Sequence, residues 1–186
     1  MVKKRACVFI SGNGSNLKAI IKNSRDPNFP VKINLVISNN KKAFGINYAK
    51  IFSIPYNIID EEKSKFEHKT LKLLEENKID LICLAGFMKI LSKNFLRVFK
   101  GKIINIHPSL LPRYKGLNTF KKVIKNKDNF TGCTVHYVNE KLDGGKIILK
   151  KRVEIKSNVE EMVKKSVQLQ EHKAYSIAIR KIYNKN

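Results

Sequence analysis

Short apolar runs alternate with amphipathic stretches along most of the chain. The runs at 6–11 (ACVFIS), 31–38 (VKINLVIS), 55–60 (PYNIID), 79–87 (IDLICLAGF) and 102–107 (KIINIH) predict strands. They are rich in Val, Ile and Leu and are bounded by Gly, Pro, Asn or Asp, as strands commonly are. Between them, residues 15–24, 42–52, 63–78 and 92–100 carry the patterning of helices. Gly45 weakens the second of these by about 1 kcal/mol relative to alanine. The run at 79–87 offers apolar residues to both faces, so its sheet is expected to be covered on both sides. Strands and helices alternating in this way predict parallel βαβ units.

After residue 116 the pattern changes. Residues 118–126 predict a helix, 132–140 and 146–155 two strands, and 158–184 a long terminal helix. Only five residues join the two strands, which makes them antiparallel neighbours, because a parallel crossover needs a dozen residues or more. The expected fold class is therefore α/β: an open, mostly parallel, twisted sheet with helices on both faces and an antiparallel C-terminal extension. At 186 residues, one domain spanning 1–186 is expected. No stretch of about 20 apolar residues occurs, so no membrane span or membrane partner is expected. The N-terminal basic residues precede an apolar run of only 6–10, and SGNGSN follows where a signal peptide would carry a cleavage site. This start reads as a first strand, and the protein as cytoplasmic.

Charge changes the picture little. The formal net charge is +23, which by itself raises nucleic-acid binding. Yet arginine occurs six times and the other 32 of the 38 basic residues are lysines spread along the whole chain. That distribution reads as compositional bias toward Lys, Asn and Ile, and no nucleic-acid partner is expected. A diffuse positive field still attracts small anions. Cys7, Cys83 and Cys133 are odd in number and far apart, without a C-x-x-C pair. They read as buried reduced thiols rather than a disulfide framework, and no metal site is expected.

Ligands of open α/β sheets gather at the carboxyl ends of the strands. Three segments with chemistry fall there. SGNGSN (11–16) joins the first strand to the first helix; its glycines allow tight turns, and the free N–H groups of a helix N-terminus suit a phosphate. Ser15 and Asn16 add donors and can cap the helix. The segment lacks the Lys-Ser/Thr of a P-loop and the third glycine of a dinucleotide fingerprint, so a plain turn stays open as a reading. LAGFMKIL (84–91) reads either as strand-to-helix packing or as the wall of a pocket for a flat apolar ligand. In NIHPSLLP (105–112), Asn105 and His107 lie two residues apart on a strand and point to one side. An amide donor beside a group that titrates near neutrality suits an oxyanion and a proton transfer. A structural histidine at a strand end is the alternative. Further on, TVHYVNEKLDGGKII (134–148) supplies His136, and Asp143 at a Gly-Gly turn. Asp143 either serves that turn or stabilises an imidazolium. His68 lies in a charged helix and reads as a surface residue, while Glu171 and His172 are ambiguous.

SGNGSNL, AFG, LAGFMKIL, NIHPSLLP, YKGLNTF, TVHYVNEKLDGG and QEH, taken in this order, closely resemble the phosphoribosylglycinamide formyltransferases, folate-dependent enzymes of purine biosynthesis. The resemblance runs from about residue 5 to residue 180. It implies a Rossmann-like formyltransferase fold and transfer of a formyl group from 10-formyltetrahydrofolate, as co-substrate, to the amine of glycinamide ribonucleotide. It implies no metal and no covalent enzyme intermediate. By the same resemblance, Asn105, His107 and Asp143 form the catalytic set, with Asp143 orienting His107 and raising its pKa. Gly12, Asn13, Gly14, Ser15 and Asn16 match the phosphate loop, and Glu171 a glutamate on the ribonucleotide side. Lys63, Met88, Lys89, Ile90, Leu91, Asn105 and Glu140 fall at folate-contacting positions. Lys63 stands where an arginine is usual, exchanging a planar fork for a point donor. His136 matches a histidine neighbouring the reaction centre. The expected assembly is a monomer or homodimer.

Two related enzyme types share this catalytic region. Methionyl-tRNA formyltransferases carry an additional C-terminal tRNA-binding domain, for which 186 residues leave no room, and usually have Ala where Pro108 stands. Formyltetrahydrofolate hydrolases carry an extra N-terminal regulatory domain. A nucleic-acid-binding protein on an inactive scaffold would account for the charge but not for Asn105, His107 and Asp143 together.

Overall fold

The strand order along the seven-stranded sheet is β3-β2-β1-β4-β5-β6-β7, and the computed structural model describes residues 2–183 of the chain. The chain divides into two compact units, Met1–Ile104 and Asn105–Asn186, and β5 (Lys102–His107) contains the boundary.

In the first unit, β1 (Lys4–Ile10) lies between β2 (Val31–Ser38) and β4 (Leu81–Leu84), parallel to both. Val8 is opposite Val36 on one side and Cys83 on the other. Such a strand has no solvent-facing side, which is why residues 6–10 are apolar without alternation. All five are fully buried. β3 (Tyr56–Ile58) pairs parallel with β2. Phe9 sits at the centre of the core, with the rings of Phe87, Phe66 and Phe95 at centroid distances of 5.3, 6.2 and 6.4 Å, all edge-on to it. Four helices complete the unit: α1 (Ser15–Ser24), α2 (Ile46–Ile51), α3 (Lys63–Glu76) and α4 (Lys93–Val98).

Most expected elements form, and α1, β2 and β5 match their predicted bounds. The expectation of a helix over 42–52 is corrected. It starts only at Ile46, with Gly45 as its N-cap. The reason is steric. Gly45 donates its N–H to the Gly12 carbonyl at 3.0 Å. A Cβ on Gly45 would lie 2.8 Å from Ile10 Cδ1 and 2.9 Å from Gly14 Cα. The chain must therefore enter α2 through a close backbone contact that no larger residue permits. The expected cap of α1 is also corrected: the N-cap is Gly14, in the left-handed region at φ 71°, and Ser15 is already helical.

In the second unit, β6 (Phe130–Tyr137) and β7 (Ile147–Glu154) are antiparallel, as their short connection requires. Both are shorter at the connection than predicted, so residues 138–146 form a longer loop that carries Asp143. The register slips between Val135 and His136, where Leu149 and Ile147 are the successive partners and Ile148 has none. The extra residue makes a β-bulge, which bends the pair at His136. α5 (Thr119–Lys125) precedes β6, and α6 (Glu160–Tyr183) packs across β6 and β7. Its buried stripe includes Val163, Val167, Ala174, Tyr175, Ala178 and Ile182. The predicted helix reached 184, a residue outside the described ones. All three cysteines are buried and outside disulfides.

Replacing Gly45 by alanine is expected to cost about 1–3 kcal/mol through overpacking, roughly 2–10 °C in Tm. Gly12→Ala is the control: a Cβ there meets nothing within 4 Å, so its melting curve should overlay that of the parent.

Candidate active site

The second unit brings four of the singled-out side chains together. Asn105 and His107 lie on the outgoing end of β5, and His136 stands one residue before the end of β6. Asp143 returns on the β6–β7 loop in a left-handed conformation, φ 47°. Its Oδ2 lies 3.3 Å from His107 Nδ1, and its Oδ1 lies 3.6 Å from His136 Nε2. The side chains of His107, His136 and Asp143 are each less than 10% exposed, at 6%, 3% and 7%. Asn105 Nδ2 is 3.3 Å from His136 Nε2. The Gly116 N–H donates to Asp143 Oδ2 at 2.8 Å, and His107 Nε2 is 2.8 Å from the Tyr114 carbonyl.

Backbone atoms of one short segment thus hold both partners of the His107–Asp143 pair. Tyr114 is left-handed at φ 55°. Its phenol donates to Asp128 Oδ2 at 2.7 Å and accepts from Asn126 Nδ2 at 2.8 Å and Arg113 Nη2 at 2.9 Å. That anchor holds the residue whose carbonyl receives the His107 N–H. The loop after His107 is fixed from β6: Thr134 Oγ1 donates to the Ser109 carbonyl at 2.7 Å and accepts from the Leu111 N–H at 3.1 Å. Thr134, Ser109, Tyr114 and Gly116 were not singled out by sequence reasoning. Thr134 had one available signal, its position two residues from His136 on the same strand face.

Burial of the His107 imidazole lowers its pKa below the ordinary histidine value; the Tyr114 carbonyl and the Asp143 carboxylate pull upward without overcoming it. Asp143 acts upward on His107, as the resemblance implies, but burial outweighs it. For Asp143, burial pushes up, but the neighbouring His136, the Gly116 N–H and the charge of His107 outweigh it, and the carboxyl sits below its usual range. A neutral His107 that donates from Nε2 to Tyr114 has Nδ1 as its basic atom. A proton accepted there meets the Asp143 carboxylate. The cluster can accept a proton and hold the resulting charge, with an amide donor beside it.

The remaining expected residues are placed as follows. In the first unit, the 11–16 loop leads into α1, with Asn13 exposed and Asn16 buried. Ser11 Oγ accepts from the Met88 N–H at 2.9 Å and donates to Asn39 Oδ1 at 2.5 Å. The loops after β1 and β4 are therefore bonded to each other, as their shared sheet edge predicts. Met88 and Ile90 expose apolar surface, 66% and 64%, whereas Leu91 is buried. Lys89 Nζ donates to the Glu61 carbonyl and lies over the Phe66 ring at 5.3 Å. Lys63 is exposed at the start of α3. In the second unit, Glu171 is buried in α6, Glu140 is exposed on the Asp143 loop, and His172 has burial pulling its pKa down. His68 is exposed. Among the described residues, no group of three or more His, Cys, Asp or Glu side chains is arranged to hold a metal ion, and no helix is long and apolar enough to cross a membrane.

These segments recur in known proteins. Residues 4–179 match the family model described as formyl transferase. The phosphoribosylglycinamide formyltransferase of Haemophilus influenzae is 42% identical over 183 residues, covering 95% of this chain and 86% of that one. The human trifunctional purine biosynthetic protein adenosine-3 is 42% identical over 182 residues, 95% of this chain, which spans only 18% of its length. The crystal structure of the Brucella melitensis phosphoribosylglycinamide formyltransferase superposes with a TM-score of 0.93 at 35% identity, covering 100% of this chain and 98% of that one. An Asn–His–Asp cluster with buried imidazole and carboxylate on a mostly parallel sheet, with a family match over residues 4–179, leads to one assignment: the chain belongs to the formyl transferase family.

Proposed function

We propose that this enzyme transfers the formyl group of 10-formyltetrahydrofolate to the amino group of 5-phosphoribosylglycinamide, in purine biosynthesis. The observation that carries the reading is the Asn105–His136–Asp143–His107 cluster, set beside the name of the Haemophilus influenzae and Brucella melitensis relatives. The substrate amine forms a bond to the formyl carbon, and the carbonyl electron pair moves onto oxygen. Asn105 donates to that oxyanion. His107 takes the amine proton at Nδ1, and Asp143 stabilises the imidazolium. Collapse of the intermediate breaks the bond to the folate nitrogen, which takes up a proton in turn. The chemistry needs electrostatic stabilisation and one mobile proton, the two things such a cluster supplies.

The other roles follow from the same reading. The 11–16 loop binds the phosphate through the backbone N–H groups that open α1, and Glu171 serves the ribonucleotide. The exposed apolar residues Met88 and Ile90, with Lys89, Leu91, Lys63 and Glu140, serve the folate. Both substrates are small molecules, and the chain acts in the cytoplasm as a monomer or homodimer.

Purified protein supplied with both substrates should form tetrahydrofolate and formylglycinamide ribonucleotide; formation of formate alone, or formylation of tRNA instead, would sink the reading. Asp143→Asn is expected to lower turnover about 10²–10⁴-fold with the fold intact by circular dichroism. Its pH profile carries a sign. Free-enzyme kcat/KM should fall on the acid side as His107 becomes protonated, at a pH below the ordinary imidazole value. Because Asp143 pulls the His107 pKa upward, the residual acid limb of Asp143→Asn should shift further toward acid. An unshifted limb would separate Asp143 from His107. With a net charge of +23 and an anionic nucleotide, kcat/KM should also fall as salt rises while kcat holds. A flat salt profile would remove the positive field from substrate capture.

A further inference from the structure

The geometry points to His136 as a positioning residue for Asn105: its Nε2 lone pair holds one carboxamide N–H and leaves the other free for the formyl oxygen. This rests on the oxyanion role proposed for Asn105.

The tautomer follows from the contacts. His136 Nδ1 is 2.8 Å from the carbonyl oxygen of Tyr137. A carbonyl only accepts, so Nδ1 carries the hydrogen. The neutral ring then has its lone pair on Nε2, 3.3 Å from Asn105 Nδ2, a group that only donates. The two contacts fit one another through a single, neutral state of the imidazole. The ring has little freedom to turn, being 3% exposed and located opposite the β-bulge of β7. Nε2 also lies 3.6 Å from Asp143 Oδ1. Were Nε2 to bind a proton, that proton would face the carboxylate and present a donor to a donor at Asn105. The carboxamide would then have to swing round, offering oxygen to the ring and changing the hydrogen bond available to the substrate. His136 thus acts on the reaction through the orientation of Asn105, not by touching substrate.

A double-mutant cycle in the full chain tests this, read as kcat and KM for both substrates. His136→Asn keeps an amide near the Nδ1 position and removes the Nε2 acceptor. It is expected to lower kcat about tenfold while each KM moves less than about twofold. In an Asn105→Ala background the same change should cost less than about twofold, because the group it positions is gone. His136→Gln, whose terminal amide reaches the Nε2 position, should recover most of the loss. Equal losses in both backgrounds, or an unchanged kcat in His136→Asn, overturn the inference. Should the variants fail to fold, imidazole ¹⁵N spectra of the unmodified protein at neutral pH decide. A protonated Nδ1 with a bare Nε2 supports the pairing; an Nε2–H tautomer or an imidazolium overturns it. Full turnover in Asn105→Ala alone would sink the role given to Asn105, leaving the spectra to decide the pairing.

Discussion

A carboxylate removed from water costs several kcal/mol unless partners replace the water around its oxygens. Asp143, with a side chain only 7% exposed, lives under that constraint, and much of the second unit can be understood as meeting it. β6 and β7 stop short of each other so that residues 138–146 can fold back. Asp143, Gly116 and Tyr114 all take left-handed backbone conformations, which aim a carboxylate, an N–H and a carbonyl at one small volume. Two of these residues are not glycine, and a left-handed non-glycine residue costs of the order of 1–3 kcal/mol. The hydrogen bonds to Asp143, and the three-way anchor of the Tyr114 phenol, offset that cost.

The pair that results is electrostatically lopsided. His107 is buried deeply enough that neutrality is favoured despite the carboxylate beside it, while Asp143 keeps its charge because the Gly116 N–H bonds to its Oδ2 and two imidazoles lie beside it. One member is a base that lacks its proton, the other an anion waiting for a cation. Neither property belongs to the residue type; each comes from what packs around it.

The architecture was largely legible in the sequence. A strand buried on both faces must be apolar at consecutive positions, and residues 6–10 and 81–84 announce themselves by that rule. The start of α2 was not legible, because a glycine in a helical pattern signals a propensity cost, whereas Gly45 answers to Gly14 and Ile10, residues distant in sequence. The ends of β6 and β7 were misplaced for a similar reason: the length of their connection is dictated by where Asp143 must arrive. In the site, side chains of unusual type for their position (Asn105 and His107 at a strand end, Asp143 at a turn) could be found by reading. Tyr114 and Gly116 could not, since they act through a carbonyl and an N–H that every residue possesses. The upward pull of Asp143 on His107 could be read from the motif, but the net direction could not, because burial, the larger influence, is a property of the fold.

The buried cysteines carry a consequence of a different kind. Cys7 and Cys83 lie in the first unit and Cys133 in the second, each with no solvent exposure. Burial raises the Cys7 thiol well above its ordinary value, and burial with the nearby Glu171 pushes Cys133 up to about 12. Since only an accessible thiolate reacts, the native protein is silent toward alkylating reagents at neutral pH. Each modification then records an opening event, and its position in the chain says which unit opened. The protein contains its own clock for local unfolding, with separate hands for its two halves.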